Sequence, residues 1–304
     1  MKAEAWRIHQ LGEKPRKMWP EAVIRWVKEK AHKASIRDDQ RRLQWIDRHL
    51  GDLYLDQITR DVIERIIDAK LKEGVNNATV NRVLALVRGI LRKAAFEWEW
   101  IDRIPKVRML PEPKRRIRWL TQEGAERLLD ALPDYLAEPA RFALATGLRR
   151  GNVFGLRWDQ MDLERRTAWI HPDQAKARKA IPVPLNGDAV LVVRRQQDQH
   201  PVYCFITRQG EPLKHVHSRI WKNACDKAGI KDFRWHDFRH TWASWLVQQG
   251  TPLHVLQELA GWESPEMVRR YAHLSPEHLR EYVEKLAVPR AVDNYGTISA
   301  QPEK

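Results

Sequence analysis

The second half of this sequence contains arginines, a lysine, histidines and a tyrosine whose types suit chemistry at an anionic group. The segment Thr146-Gly147-Leu148-Arg149-Arg150-Gly151-Asn152 predicts a glycine turn that leads into a helix. Such a turn can aim backbone N–H groups and the guanidinium of Arg149 at an anion. Taken alone, however, the segment is more typical of a helix boundary with surface arginines.

A second segment, His236-Asp237-Phe238-Arg239-His240, predicts a helix that places His236, Arg239 and His240 on one face. Two histidines four residues apart also occur in zinc proteases, but those enzymes need a Glu directly after the first His, and here that residue is Asp237. No third ligand is evident nearby, so we expect no metal and no other cofactor. We assign His240 a structural role.

Two further segments complete the set. Lys176 lies in a polar turn before the apolar run that begins at Ile181, and a lysine at such a turn is usually only solvated. Trp262 follows Gly261, and Tyr271 comes in the next predicted helix. Read alone, that last segment indicates no more than a helix, a glycine turn and another helix.

The order of these segments resembles the signature of the tyrosine recombinase and phage integrase family. That family combines a Thr-Gly-x-Arg helix start, a hairpin lysine, a His-x-x-Arg helix, a Leu-Gly-His or Trp position and a nucleophilic tyrosine. The resemblance covers about residues 119 to 287. The chain departs from it at Asn152, where many members carry Glu, and at Trp262, where most carry His.

The resemblance implies a site-specific DNA recombinase, of the phage or prophage integrase type, that needs neither metal nor ATP. Tyr271 would be the nucleophile and would form a 3′-phosphotyrosyl intermediate, and Lys176 would protonate the leaving 5′ oxygen, with Lys179 as its rival. The remaining site residues would bind the phosphate, and these are Arg149, His236, Arg239 and Trp262. Alternatively, His236 would accept the proton of the tyrosine. The alternatives are a type IB topoisomerase-like strand transferase and a DNA-binding relative without catalysis.

The partners implied by the resemblance are double-stranded DNA attachment sites, on which a homotetramer would hold two duplexes. Host DNA-bending or directionality factors are further candidates. C-terminal segments are exchanged between protomers in this family, and residues 288–304 would serve that exchange.

The composition is compatible with a polyanionic partner. The 304 residues contain 54 Lys and Arg against 40 Asp and Glu, which gives a formal net charge of +14. This charge favours nucleic acid or an anionic membrane surface as the partner. The membrane is the less favoured of the two, because the sequence has no strongly amphipathic basic helix. No run of 18 apolar residues is present, so we expect a cytoplasmic, nucleoid-associated protein. Cys204 and Cys225 are too few for a disulfide framework and are expected to be ordinary small side chains.

Hydrophobic periodicity predicts a mainly helical (α+β) chain. An all-helical first domain should begin with a helix opened by Pro20, with Ile24, Val27 and Ala31 on its apolar face. Further helices should follow Ser35 and Thr59 and run from Thr79 to Trp98. The second domain should be helical with a small antiparallel sheet formed by residues 167–171 and 181–183.

These patterns divide the chain into five parts. We expect an N-terminal extension over residues 1–18, a helical core-type DNA-binding domain over 19–102, a basic linker over 103–118, a catalytic domain over 119–287 and a tail over 288–304. Three prolines and seven basic residues against one acid mark the linker. A segment of this kind either crosses a phosphate backbone or serves as a solvated spacer. An N-terminal arm-binding domain, which lambda-type integrases carry, should be absent or truncated.

Overall fold

The computed structural model describes residues 15–113, 117–175, 179–274 and 283–284. The chain forms two compact units that divide between Arg115 and Arg116. Lys176 and the predicted tail, 288–304, lie outside the described residues, as does most of the N-terminal extension.

The first unit is built from helices packed around one core. They are α1 (Trp19–Glu29), α2 (Ile36–Leu50), α3 (Arg60–Lys72) and α4 (Asn77–Phe96), with a short 3₁₀ turn at Leu55–Gln57. Helix α4 carries a buried apolar stripe, which consists of Val80, Val83, Leu84, Val87, Ile90, Leu91 and Ala94. Asn76 caps α4, accepting a 3.0 Å hydrogen bond from the backbone N–H of Thr79.

The predicted apolar face of α1 is wrong at Ile24, whereas Val27 is partly buried against the core. Ile24 is 70% exposed, whereas Trp19, Ala22 and Trp26 face the core. Both faces have helical spacing, but the two indole rings bury more apolar surface than the aliphatic alternative would. The larger aromatic area therefore decides which side of the helix is inside.

The segment that follows the first unit's helices has neither helix nor strand, yet its apolar side chains pack against the core. Partly buried members include Ile104, Val107 and Leu110. Asn81, on α4, fixes the segment through both atoms of its amide. It donates to the Leu110 carbonyl at 2.8 Å and accepts from the Leu110 N–H at 2.8 Å. Residues 103–113 are thus docked on the first unit.

The second unit contains helices of unequal length and a small sheet. The helices are α5 (Gln122–Ala131), α6 (Asp134–Thr146), α7 (Arg150–Phe154), α8 (Gly187–Arg195), α9 (Ser218–Lys227), α10 (Asp237–Gln248), α11 (Leu253–Ala260) and α12 (Pro265–Arg269), followed by a 3₁₀ turn at Ala272–Leu274. The strands β1 (Met161–Asp162), β2 (Thr167–Ile170) and β3 (Ile181–Pro184) form an antiparallel sheet in the order β1-β2-β3. The predicted fold class, mainly helical with a small antiparallel sheet, is confirmed.

Two glycines allow close packing in this unit. Gly147 ends α6 in the left-handed region, with φ of +65°, and a Cβ there would lie 2.3 Å from ring carbons of Trp242 on α10. Gly261 ends α11 with φ of +58°, and a Cβ there would lie 2.9 Å from Ile181 on β3. Glycine is therefore required at both positions by conformation and by space.

The side chains of the second unit form two apolar clusters. The larger surrounds α6 and the sheet and includes Cys204 and Cys225, both buried free thiols. The smaller, which we call the C-terminal cluster, consists of Trp242, Ala243, Val247, Leu256, Ala260, Trp262, Val268 and Tyr271. None of the helices in the described ranges is both long enough and apolar enough to cross a bilayer.

The docking of residues 103–113 gives a first prediction. Asn81→Ala removes both amide bonds to Leu110, so it should destabilise the first unit by about 1–3 kcal/mol, the cost of leaving buried polar groups unpaired. Trypsin should then cut faster at Arg103, Lys106 and Arg108. The control is Asn77→Ala, which removes only an exposed bond to the Pro111 carbonyl. Equal digestion of both variants would contradict the docking role of Asn81.

The left-handed turn at Gly147 gives a second prediction. Gly147→Ala should destabilise the second unit by at least about 2 kcal/mol, since the methyl group strains the turn and overlaps Trp242. The matched control is Gly151→Ala, four residues later, where a Cβ meets nothing within 4 Å. That change should be neutral or stabilising by up to about 1 kcal/mol, as for helical glycines in general. Urea midpoints measured by circular dichroism compare the two; matching midpoints would refute the proposed overlap.

Candidate active site

Tyr271 is a core residue. It follows α12, is only 1% exposed and belongs to the C-terminal cluster. Burial raises the pKa of its hydroxyl to about 12, because the phenolate would lose its hydration, although the charge of Arg239 opposes part of this rise. The phenol is therefore protonated in the free protein.

Trp262 fixes the plane of the Tyr271 ring. The two rings stack with their centroids 5.5 Å apart and their planes within 13°. Gly261 ends α11 in the left-handed conformation, and Trp262 follows it directly. The side chain that replaces the family's usual His thus supports the tyrosine ring through packing.

Arg239 lies at the centre of the site. It is 5% exposed, and its guanidinium lies 5.0 Å from the centroid of the Trp262 ring. Nη1 donates to the Gly147 carbonyl at 2.6 Å, and Nη2 donates to the carbonyl of Ala260. These carbonyls belong to the C-terminal ends of α6 and α11, where the helix dipole favours a cation. Burial, followed by the charge of Arg149, lowers the pKa of Arg239 to about 9.

Arg149 is the second guanidinium of the site. It is half-buried at the start of α7, and burial lowers its pKa. Its charge acts on Arg239 and on His236, which places all three groups in one electrostatic neighbourhood. Among the described residues, neither arginine forms an ion pair with a carboxylate. Two cations that repel each other and lack a counter-charge are arranged to receive an anion.

His236, directly before α10, and His240, within it, contact different groups. Partial burial and then the charge of Arg239 lower the pKa of His236, which stays accessible to solvent. His240 lies one turn later, with its ring centroid 5.2 Å from that of His236. Its Nδ1 forms a hydrogen bond with the Tyr271 hydroxyl. Burial, reinforced by the charges of His236, Arg270 and Arg239, lowers the pKa of His240 to about 4.

The contact between His240 and Tyr271 is the feature that sequence reasoning missed, since His240 was assigned a structural role. Its spacing of four residues from His236 indicated that the two histidines share a helix face. The spacing did not indicate that Tyr271 contacts this face. Within the described ranges, no group of three His, Cys, Asp or Glu side chains could hold a metal ion.

Three further residues were singled out in the sequence: the two candidate lysines, Lys176 and Lys179, and Asn152. Lys176 lies outside the described residues, whereas its rival Lys179 is exposed just before β3. Asn152, the departure near Arg149, is buried, and its amide nitrogen has no hydrogen-bond partner among the described residues. This asparagine therefore does not brace Arg149 through an ion pair, as a Glu there could.

The assembled groups suit attack by a phenol on an anionic centre. A buried tyrosine is held by ring stacking and a hydrogen bond. Arg239 acts on it, Arg149 acts on Arg239, and neither guanidinium pairs with a carboxylate among the described residues. Forked N–H donors match the oxygens of a phosphate, whose developing charge they would stabilise.

Sequence comparisons identify the relatives of this chain. The sequence profile of the phage integrase family matches residues 118–278. The integrase of Salmonella phage P22 is 39% identical, over 94% of this chain and 84% of that protein. The tyrosine recombinase XerA of Pyrococcus furiosus is 26% identical, over 71% of this chain and 77% of its own length.

Solved structures share the fold. A lambda integrase dimer bound to a COC′ core site superimposes with a TM-score of 0.69 at 20% identity, covering 89% of this chain and 85% of that one. The Tn1549 transposon integrase, in complex with transposon right end DNA, gives a TM-score of 0.71 at 17% identity, covering 88% and 99%. On the profile match and the similarity to the P22 protein, the chain belongs to the phage integrase family and is a tyrosine site-specific recombinase.

Proposed function

We propose that this chain cleaves and rejoins DNA through a covalent bond between Tyr271 and a 3′ phosphate. The observation that carries this assignment is the buried Tyr271 hydroxyl beside Arg239, which has no carboxylate partner among the described residues. A DNA phosphate would supply the missing negative charge at the point where the phenol can attack it.

Each step of the proposed reaction has a candidate group. The Tyr271 oxygen forms a bond to phosphorus as the bond from phosphorus to the 5′ oxygen breaks. Arg149 and Arg239 donate to the non-bridging oxygens, with His236 beside them. Lys176 gives its proton to the departing 5′ oxygen. Because the phosphotyrosyl ester retains the energy of the original bond, attack by a 5′ hydroxyl reverses the reaction without ATP.

The partners follow from the same proposal. Double-stranded attachment sites are the substrate, and the charge of +14 favours their binding. Lambda integrase has been solved as a tetramer bound to a Holliday junction, and its structure covers 94% of this chain with a TM-score of 0.69. We extend that assembly to this chain as a homotetramer on two duplexes. Host DNA-bending or directionality factors, exchange of residues 288–304 and a location on the bacterial nucleoid belong to the same proposal.

The nucleophile is tested by trapping the covalent intermediate. Attachment-site DNA, identified from repeats that flank the gene, should form an adduct with the wild-type protein that survives denaturing electrophoresis, and mass spectrometry should find the nucleotide on Tyr271. Tyr271→Phe should bind the DNA and form no adduct, because it keeps the ring and removes the oxygen. Tyr282→Phe, the control, should form it normally. An adduct that persists in Tyr271→Phe would assign the nucleophile to another residue.

The proton donor is tested by changing the leaving atom. Lys176→Ala should cleave ordinary DNA very slowly, but cleave DNA with sulfur at the 5′ bridging position at nearly the wild-type rate, because a thiol of pKa near ~8.5 leaves without protonation. Arg239→Ala should stay slow on both substrates, by at least ~10²-fold, since phosphate charge must still be stabilised.

Lys179→Ala is the matched control for this experiment and should resemble the wild type on both substrates. If sulfur rescues Lys179→Ala in place of Lys176→Ala, the assignment of the lysine is wrong. If sulfur rescues neither variant, another residue protonates the leaving oxygen.

A further inference from the structure

His240 contacts the reacting oxygen of the site. Its Nδ1 is hydrogen-bonded to the hydroxyl of Tyr271, and the two ring centroids lie 5.9 Å apart. The helix that carries His240 also carries Arg239, so the imidazole is fixed relative to the guanidinium. Stacking on Trp262 also restrains the phenol ring. The contact is therefore held by three packed elements.

The charge states of the two partners leave two forms of this hydrogen bond. Burial raises the pKa of Tyr271 to about 12 and lowers that of His240 to about 4, so both groups are neutral near pH 7. A neutral imidazole carries one N–H and one bare nitrogen. Either Nδ1–H donates to the phenol oxygen, or the phenol O–H donates to a bare Nδ1 while the proton of His240 resides on Nε2. Only the second form lets Nδ1 accept the phenol proton.

His236 is less suited to receive this proton. No hydrogen bond among the described residues joins it to Tyr271, whereas Nδ1 of His240 has one. The charge of Arg239 acts on both imidazoles, and that of Arg149 acts on His236. These charges place His236 on the side of the site where the arginines would hold the phosphate. We therefore expect His236 to contact the phosphate and His240 to contact the nucleophile.

We propose that His240 is a catalytic residue that accepts the proton of Tyr271 during cleavage and returns it during rejoining. This proposal rests on the proposed function. In cleavage the Oη–H bond breaks and its proton moves to Nδ1, while an electron pair of Oη forms the bond to phosphorus. The bond from phosphorus to the 5′ oxygen breaks, and that oxygen takes a proton from Lys176. In rejoining the 5′ hydroxyl attacks phosphorus and returns its proton to Lys176, the Oη–P bond breaks, and Nδ1–H restores the phenol.

Substrate binding makes this transfer easier. In the free protein, burial and the charges of His236, Arg270 and Arg239 oppose protonation of His240. A phosphodiester brings a negative charge to these cations, and that charge favours the imidazolium form. The base is therefore weak without DNA and stronger with it, which limits activation of the nucleophile to the bound state.

The test compares His240→Asn with His240→Ala. The amide oxygen of Asn can accept the Tyr271 hydrogen bond but cannot take a proton at neutral pH. Both variants should slow single-turnover cleavage by ~10²-fold or more, the usual contribution of a general base, while binding attachment-site DNA as tightly as the wild type does. His254→Asn, at an exposed position of α11, is the control and should cleave normally. Near-normal cleavage by His240→Asn would reduce His240 to a hydrogen-bonding support and overturn the proposal.

The sulfur-containing substrate separates this role from that of the proton donor. Sulfur removes the need to protonate the leaving atom but not the need to activate the nucleophile, so both His240 variants should stay slow on it. Rescue of either variant by sulfur would mean that His240 acts on the leaving group, and the proposal would fail.

A measurement on the wild-type protein does not depend on how the variants fold. Nitrogen NMR of ¹⁵N-histidine-labelled protein should show His240 with its proton on Nε2 and a bare Nδ1 whose signal shifts in Tyr271→Phe. A proton on Nδ1 in the free protein would exclude it as the acceptor. The adduct assay distinguishes this inference from the proposed function. If the adduct lies on Tyr271 and His240→Asn cleaves normally, only the role of His240 is rejected. If the adduct lies on another residue, the proposed function itself is rejected.

Discussion

The site depends on one buried cation, the guanidinium of Arg239, and on the two helix ends that hold it. Burying a charge without compensation costs several kcal/mol, yet no carboxylate of the described residues pairs with this arginine. Carbonyls at the C-terminal ends of α6 and α11 accept from it instead. These partial charges offset the cost of burial without neutralising the cation, so its remaining N–H donors can still bind an anion.

The same two hydrogen bonds of Arg239 position the other groups of the site. Gly147 lies at the end of α6, directly before the segment that carries Arg149, and Ala260 lies at the end of α11, directly before Gly261 and Trp262. Trp262 in turn stacks on Tyr271. Each helix end that Arg239 holds is thus followed within two residues by another member of the site. Replacement of Arg239 would therefore affect both the charge of the site and the geometry of its neighbours.

Much of this arrangement could be predicted from the sequence because it depends on short, ordered segments. The segments around Arg149, Arg239 and Tyr271 carry recognisable spacings, and the helices around them follow hydrophobic periodicity. The bond between His240 and Tyr271 could not be predicted, since it joins residues 31 positions apart through the packing of α10 against the C-terminal cluster. The apolar face of α1 was predicted incorrectly because periodicity counts apolar residues equally, whereas burial favours the larger indoles of Trp19 and Trp26. The segment after α4 was read from its charges, although Asn81 and apolar contacts decide its position.

Repulsion between the cations of the site lowers the stability of the folded chain when no anion is bound. Burial and then the charge of Arg149 lower the pKa of Arg239, and burial together with the surrounding cations lowers the pKa of His240, so its imidazole is neutral. An anion that binds only the folded chain relieves this repulsion and stabilises the fold in proportion to its affinity. A substitution that removed one of these charges would relieve the repulsion permanently and remove a donor to the phosphate. The unpaired cations are therefore best explained as a cost in stability that the fold bears in the absence of DNA, and that DNA binding offsets.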